Sequence, residues 1–404
     1  MGVENMVHLL QIAQFAVSVQ STIRTVGRDC DHPVMFIGRL TMISIVLELR
    51  GSNRAACHRR PLIPVAKRLS YAVVATLITL AACCCLASPA PAADARFANS
   101  STPVPADGNV FTGGIRPQDE ILLVDVRSLG GCCAPELMAG RVRVRSYEIT
   151  NDSGHRQWQP SDMETIQAAD PSIATMVFVH GNRVSPGDAC REGLAVYRRV
   201  VRQSASDTPI RFVIFSWPSS QIRGPLKDVR AKAARTQPAG LQLAWLVDQM
   251  PAETPVSLVG FSFGARIVTG ALHILGGGTL NGRTLTERLN PNRAPVNAVL
   301  LVAALHADWL APGRYHGRAL SQVDHMLLLN SRLDRAMQHY HFVTKRGKPQ
   351  ALGLRGPTCI DADGAGKITE RDLGRYVGSN HNLFCYVSAP GVTSQLWESA
   401  SHEL

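Results

Sequence analysis

The chain has 404 residues, of which 45% are hydrophobic and 18% charged, with a formal net charge of +11. Such a composition belongs to a globular protein with a large core, and the length exceeds one typical domain without requiring two. The positive charge does not mark a nucleic-acid binder: Arg198, Arg199 and Arg202 on one predicted helix, and Lys227, Arg230, Lys232 and Arg235 on another stretch, carry no interleaved aromatic residues for base stacking. They read as solvated helix faces, and no nucleic-acid partner is expected.

In chain order, residues 1–60 form a poorly defined N-terminal extension with scattered arginines and no clean periodicity. Residues 61–95 read as a signal peptide or membrane anchor. Arg59-Arg60 and Lys67-Arg68 precede an apolar run from Leu69 to Ala87, and a small-residue stretch, Ser88-Pro89-Ala90-Pro91-Ala92-Ala93, follows. Such signals begin at the N-terminus, so two readings stand open. Translation starts downstream of Met1, or the run is an anchor of about 18 apolar residues that can just span a bilayer. Leu80-Ala81-Ala82-Cys83 resembles a bacterial lipobox, whose cysteine would be lipidated. All of these imply export to the periplasm or cell envelope, with possible membrane attachment through residues 69–87; a buried apolar helix is the alternative. The ten cysteines lack zinc-like spacing, since Cys83 to Cys85 and the pair Cys132, Cys133 are adjacent, so no metal site is expected. In an exported protein Cys132 or Cys133 could join a disulfide. Residues 96–117 are rich in Pro, Ala and Gly and read as a linker.

The folded domain is expected over residues 118–390, with a tail at 391–404. Glu120–Val126 and Arg141–Ile149 are predicted as two antiparallel edge strands. Ala174–Val179 is a buried strand running into His180-Gly181-Asn182-Arg183, and a helix over Asp188–Gln203 follows, with Asp188 as its N-cap. Ile210–Phe215 is a strand ending in Ser216-Trp217-Pro218-Ser219. Helical sequence then extends to about Met250, broken at Pro238. Val256–Val259, Val296–Ala303 and Val323–Leu329 are further strands, and Arg375–Val377 is a last short one. Strands alternating with helices over this length predict a mostly parallel sheet covered on both faces.

Gly260-Phe261-Ser262-Phe263-Gly264 lies between a strand and a helix that runs through Ile267, Ala271, Leu272 and Leu275 to a glycine stop at Gly276. A bare G-x-S-x-G occurs by chance in roughly one protein in ten of this length. The strand before it and the helix after it give it meaning. A serine held in a strained strand-to-helix turn is exposed to a base, and the N–H of the next residue faces any charge that forms on a bound carbonyl oxygen.

Together, His180-Gly181-Asn182, Ser216 to Ser219 and Gly260 to Gly264 resemble a bacterial branch, of unassigned substrate, of the α/β-hydrolases; the resemblance covers about Gln118 to Pro390. It implies an α/β-hydrolase fold and a triad in the order nucleophile, acid, histidine. Ser262 would be the nucleophile. Asp334, after the strand ending at Leu329, would be the acid, with Asp308 as its rival. His381 would be the base: only it and His402 lie beyond residue 341, and His402 is almost terminal. The resemblance points to the backbone N–H groups of Phe263 and Asn182 as the oxyanion hole, with the Asn182 side chain as an alternative brace for the loop. His180 reads as structural and His273 as packed or superficial. His306, His316, His325, His339 and His341 come too early in the order, although His341 stays open. Trp217 and Trp309 are candidates for lining the pocket. Fewer than 20 residues separate the strand ending near Ala304 from the next, leaving room for a small lid, roughly Trp309–Leu320, over an open site.

Hydrolysis of a small-molecule or lipid ester is therefore expected, with neither metal nor organic cofactor. A catalytically silent binding module of the envelope is the competing reading, and a lyase or peroxidase on the same fold is a third. Asp361 to Asp372 resembles a calcium loop, but Ala365 offers no ligand at its fifth position and Asp372 is short at its twelfth; it reads as a polar turn.

Overall fold

The computed structural model describes residues 114–131, 135–149, 156–202, 207–344 and 347–401. The N-terminal extension, the signal or anchor segment, nearly all of the linker, Cys83, Cys132, Cys133 and His402 lie outside the described residues.

Nine strands form one sheet in the order β3-β2-β1-β5-β4-β6-β7-β8-β9. They are β1 (Glu120–Asp125), β2 (Arg143–Ile149), β3 (Arg156–Ser161), β4 (Ala174–Val179), β5 (Ile210–Ser216), β6 (Val256–Phe261), β7 (Val296–Leu301), β8 (Val323–Asn330) and β9 (Ile368–Asp372). β2 runs antiparallel to β1 and β3, and every other pairing is parallel. β5, β6 and β7 are buried at every position, so both faces of the sheet are covered. The four longest helices among the described residues are α1 (Pro186–Arg202), α2 (Pro225–Gln249), α3 (Phe263–Leu275) and α4 (Val392–Ser401).

Several expectations need correcting. β1 is not an edge strand. β5 pairs with it in parallel on the far side from β2, which makes it interior, and Ile121 to Val124 are buried on both faces. The edge is β3, a polar strand with Pro160, whose ring would interrupt an interior ladder. At the other edge, Arg375–Val377 belongs to a short helix, Gly374–Val377, and the strand is β9, made from the second half of the calcium-like loop. The first half of that loop is a helical turn capped by Asp361, whose carboxylate accepts from the Gly364 N–H at 2.8 Å. α1 begins at Pro186, before Asp188. The Asp188 N–H donates to the Ser185 hydroxyl oxygen at 3.2 Å while the Ser185 N–H donates back to the Asp188 carboxylate at 3.3 Å, a capping box that makes Asp188 the third helical residue.

α2 passes unbroken through Pro238. Tertiary packing overrides the lost hydrogen bond: Pro238 and the ten residues after it are buried, and Gly240 brings α2 against Gly270 of α3. Lys232, expected on a solvated face, is fully buried in this helix against Asp228. The fold also continues past Pro390. α4 docks on the sheet, with the Ser399 hydroxyl 2.6 Å from that of Ser257 on β6 and its carbonyl accepting from the Asn297 amide of β7 at 3.2 Å.

Sheet order fixes where a site can lie. From β4 the chain moves outward to β5, then returns across β4 to β6. The loops leaving β4 and β6 therefore diverge at a topological switch point, where open parallel sheets leave a crevice at their carboxyl ends. Those loops hold His180 to Arg183 and Ser262.

Candidate active site

The turn at Ser262 is forced by close approach. A Cβ on Gly264 would stand 2.0 Å from the Val179 carbonyl oxygen, and one on Gly260 2.6 Å from Ala265. Only glycine at both ends lets β6 turn this sharply into α3 beside β4. Between them Ser262 adopts φ 54° and ψ −113°. A serine at positive φ costs on the order of 1–3 kcal/mol and persists only where its surroundings over-determine it. Here the Ser262 N–H donates to the Leu301 carbonyl at 2.9 Å, and the Ala304 N–H donates to the Ser262 carbonyl at 3.1 Å. The end of β7 thus clamps the turn on both sides.

The Ser262 hydroxyl is 2.9 Å from Nε2 of His381, and His381 Nδ1 is 2.8 Å from the Asp334 carboxylate. These groups come from three separate places in the chain. Asp334 follows β8 and caps the short helix Arg335–Gln338 by accepting the Met337 N–H at 3.0 Å. His381 stands between two short helices, Gly374–Val377 and Leu383–Val387, the second capped by Asn382. Asp334 is fully buried, while His381 is 24% exposed and faces the crevice. Asp308 is elsewhere, in a turn, 3.7 Å from Arg314. His341 lies in the 3-10 turn Tyr340–Val343, its ring against Phe342.

A third partner of Asp334 was not anticipated. The Tyr386 hydroxyl donates to the same carboxylate oxygen as His381, at 2.8 Å. Burial, and the Asp334 charge beside it, push the Tyr386 phenol well above its ordinary pKa, so it stays a donor. The Phe261 ring packs between the two, 5.2 Å from the His381 ring and 6.2 Å from that of Tyr386. Nothing in the local sequence Phe384-Cys385-Tyr386 signals this role.

Phe263 opens α3, so its N–H has no partner within the helix. Across the crevice the loop after β4 is held from behind. The Asn182 side-chain amide donates to the Asp228 carboxylate at 3.3 Å, so it braces the loop. The same carboxylate takes Arg183 at 3.1 Å, Lys232 at 2.7 Å and the Ile222 N–H at 3.0 Å. Burial pushes the Asp228 pKa up, but these donors together outweigh it and hold it below the ordinary value. Gly181 sets the distance: a Cβ there would be 2.8 Å from the Phe261 ring. The glycine thus brings the loop against the elbow.

His180 is fully buried and neutral, its pKa lowered to about 3, first by burial. Nδ1 lies 3.0 Å from the Gly181 carbonyl and Nε2 takes the Trp217 N–H at 3.3 Å. The Trp217 indole N–H donates to the His180 carbonyl at 2.9 Å. The histidine and the Ser-Trp-Pro-Ser segment therefore lock the ends of β4 and β5 together, and Trp217 is core rather than pocket wall. His273 is packed and accepts the Arg318 N–H at 3.2 Å. The segment between β7 and β8, expected as a lid, is pinned to α3 by His316, whose Nδ1 is 2.8 Å from the Thr269 hydroxyl. In this segment Trp309 is half-buried over the Arg266 guanidinium, 4.4 Å from it.

The parallel sheet, with a strained serine at its switch point, defines an α/β-hydrolase fold. No protein-family model matches the chain, and no curated protein matches it. Among solved structures it is similar to acyl-protein thioesterase 2 from Zea mays, at 16% identity and a TM-score of 0.33 over 58% of this chain and 95% of that one. The catalytic core domain of acetyl xylan esterase from Trichoderma reesei gives 15% identity and a TM-score of 0.32 over 57% and 99%.

Proposed function

We propose that the chain is a serine hydrolase that cleaves carboxylic esters through Ser262, His381 and Asp334. The hydrogen-bonded line from the Ser262 hydroxyl through His381 to the buried Asp334 carries this reading. His381 Nε2 takes the hydroxyl proton as Ser262 Oγ attacks the ester carbonyl carbon. The carbonyl oxygen gains the negative charge, and the N–H groups of Phe263 and Asn182 donate to it. Collapse of this intermediate expels the alcohol, which leaves with the proton from His381, and the acyl group stays on Ser262. Water then repeats the sequence, giving its proton to His381 and releasing the acid. Asp334 fixes the His381 tautomer and stabilises the imidazolium present at each step.

The apolar run from Leu69 to Ala87 supports, by sequence alone, a protein exported to the periplasm or envelope, with an ester-bearing small molecule or lipid as substrate.

Hydrolysis of p-nitrophenyl esters of short and long acyl chains, with fluorophosphonate labelling alongside, tests the reading. Wild type should turn over and label, and Ser262→Ala and His381→Ala should each lose at least about 10⁴-fold in kcat. Unchanged turnover in Ser262→Ala would overturn the nucleophile. An unreactive wild type would favour a silent binding module.

A further inference from the structure

One turn along α3 from the elbow lies a second group of polar side chains that the triad does not use. Arg266 follows Ser262 by four residues, about 6 Å along the helix axis. It is only 7% exposed, and its Nη1 has no hydrogen-bond partner. Three more unpartnered, buried polar atoms come from its neighbours: His306 Nε2 and the hydroxyls of Tyr315 and Tyr340. Tyr340 is 2% exposed. Trp309 ties the group together. Its indole lies over the guanidinium, with its centroid 4.4 Å from the His306 ring and 4.6 Å from the Tyr315 ring. The His306 ring in turn meets Tyr340 edge-on at 5.7 Å.

The group is joined to the triad through the backbone. His306 stands two residues after Ala304, whose N–H binds the Ser262 carbonyl, and Tyr340 stands six residues after Asp334. All of it lies at the carboxyl end of the sheet.

A guanidinium remains charged at neutral pH even though burial pushes its pKa down. Its charge is favoured by the phenols of Tyr340 and Tyr315, the first of which stands close enough to the guanidinium to interact with it directly, and by no carboxylate. The carboxylate of Asp308, in the same segment, pairs with Arg314 at 3.7 Å and reaches His306 and Tyr340 only as a minor charge, outweighed at both by burial and by Arg266. An unpaired buried cation beside unused donors is the arrangement that an oxyanion completes. The charge also sets the kind of anion. Burial and the Arg266 charge lower the His306 pKa to about 4, His316 is lowered well below its ordinary value, and burial holds the Tyr340 phenol up at about 12. The histidines add no charge, so the guanidinium under the Trp309 indole is that of Arg266, with Arg283 also acting on Tyr315. A monoanionic carboxylate matches the single guanidinium that Trp309 covers.

We propose that Arg266, His306, Tyr315 and Tyr340 form a carboxylate subsite beside Ser262, and that the ester substrate is a half-ester carrying a second, free carboxylate. The subsite is closed in this structure, with Trp309 as its cover, so the carboxylate enters as the half-buried indole moves off the guanidinium. The identity of the substrate rests on the serine-hydrolase reading; binding of a carboxylate at Arg266 does not.

The full-length chain tests both parts. Mono-p-nitrophenyl glutarate and p-nitrophenyl pentanoate are compared as substrates of wild type, Arg266→Lys and Arg266→Gln. The ratio of kcat/KM for the carboxylated over the neutral ester should fall at least tenfold in Arg266→Gln and less in Arg266→Lys. A ratio within twofold of wild type in Arg266→Gln overturns the substrate assignment. Glutarate binding to Ser262→Ala, followed by calorimetry, requires no catalysis and no Arg266 variant that folds. Millimolar or tighter binding by glutarate, and none by the neutral glutaramide, supports the subsite; no glutarate binding overturns it. Glutarate binding in a chain that hydrolyses neither ester would sink the hydrolase reading and leave the subsite standing. Glutarate that binds without competing with the ester would reassign the subsite to a free carboxylate.

Discussion

Two fully buried carboxylates stand behind the loops of the candidate site, one behind the loop after β4 and one behind His381, and they are neutralised in opposite ways. Asp228, behind the loop after β4, is met by the permanent cations Lys232 and Arg183. Asp334, behind His381, is met by an N–H, a phenol and an imidazole, all of which can be neutral. The field of Asp228 is already spent on holding a loop. That of Asp334 is not, and in the proposed mechanism it acts fully only when a proton reaches His381. The same residue type under the same burial thus serves structure in one place and, on the proposed mechanism, charge development in the other, and the partners decide which.

The widest separation between the two should come from Asp334→Asn. Its amide can still fill the space but cannot hold the imidazolium, and a wrong tautomer follows. Loss of about 10⁴-fold in kcat is expected with the fold retained, measured by ester hydrolysis alongside circular dichroism. Asp228→Ala should do the reverse. It strands the buried Lys232 ammonium, which costs about 3–5 kcal/mol in denaturant unfolding. The double change Asp228→Ala with Lys232→Met should recover a large part of that loss. An Asp228→Ala protein as stable as wild type would break the comparison.

Acid provides a third test, because the loop beside Asp228 is also tied down by His180. That histidine has a folded pKa of about 3, below its ordinary 6.5. The unfolded chain therefore binds more protons than the folded one between these values, so stability falls as pH drops through this window and is unaffected by His180 above it. The slope is about 1.4 kcal/mol per pH unit at most. His180→Gln should flatten it, read from urea midpoints between pH 7 and 4; an unchanged slope would mean that His180 is not held neutral.

The sequence shows one side of this comparison far better than the other. Ser262 was legible because a glycine on each side of it, at fixed spacing between a strand and a helix, is what a tight turn into a helix demands and little else does. Asp334 and His381 were singled out through the chain order that the family resemblance implies, and the structure brings both into one hydrogen-bonded line with Ser262. The strands β4 to β8 announce themselves as apolar runs because both their faces are covered. β3 and β9 do not. Arg-Gln-Trp-Gln-Pro-Ser and Ile-Thr-Glu-Arg-Asp are half-exposed edge strands whose polar side chains resemble loop. Asp228 was hidden for a related reason. Asp228 and Lys232 are four residues apart on a helix, the spacing of an ordinary surface pair, and only the packing of α2 shows them to be buried. The Arg266 group was illegible because its members lie in three distant segments with no motif among them.

The smallest expected effect belongs to Tyr386→Phe, and it is the most discriminating for the role of Asp334. The ring is fully buried, so removing the hydroxyl leaves the packing against Phe261 almost unchanged. The carboxylate keeps the Met337 N–H and His381 but loses one of its three donors. A hydrogen bond to a charged group is worth about 1.5–3 kcal/mol, part of which the remaining donors recover by tightening. If Asp334 only positions the His381 ring, two donors suffice and kcat should change by less than about twofold. If its negative charge must sit in one fixed place as the imidazolium forms, the freed oxygen costs transition-state stabilisation, and kcat should fall by about tenfold. KM should be unchanged in either case, because Tyr386 stands behind the histidine rather than against the substrate. The second outcome is expected, since Asp334 has no permanent cation among its hydrogen-bond partners and its charge is stabilised by this small set of donors alone.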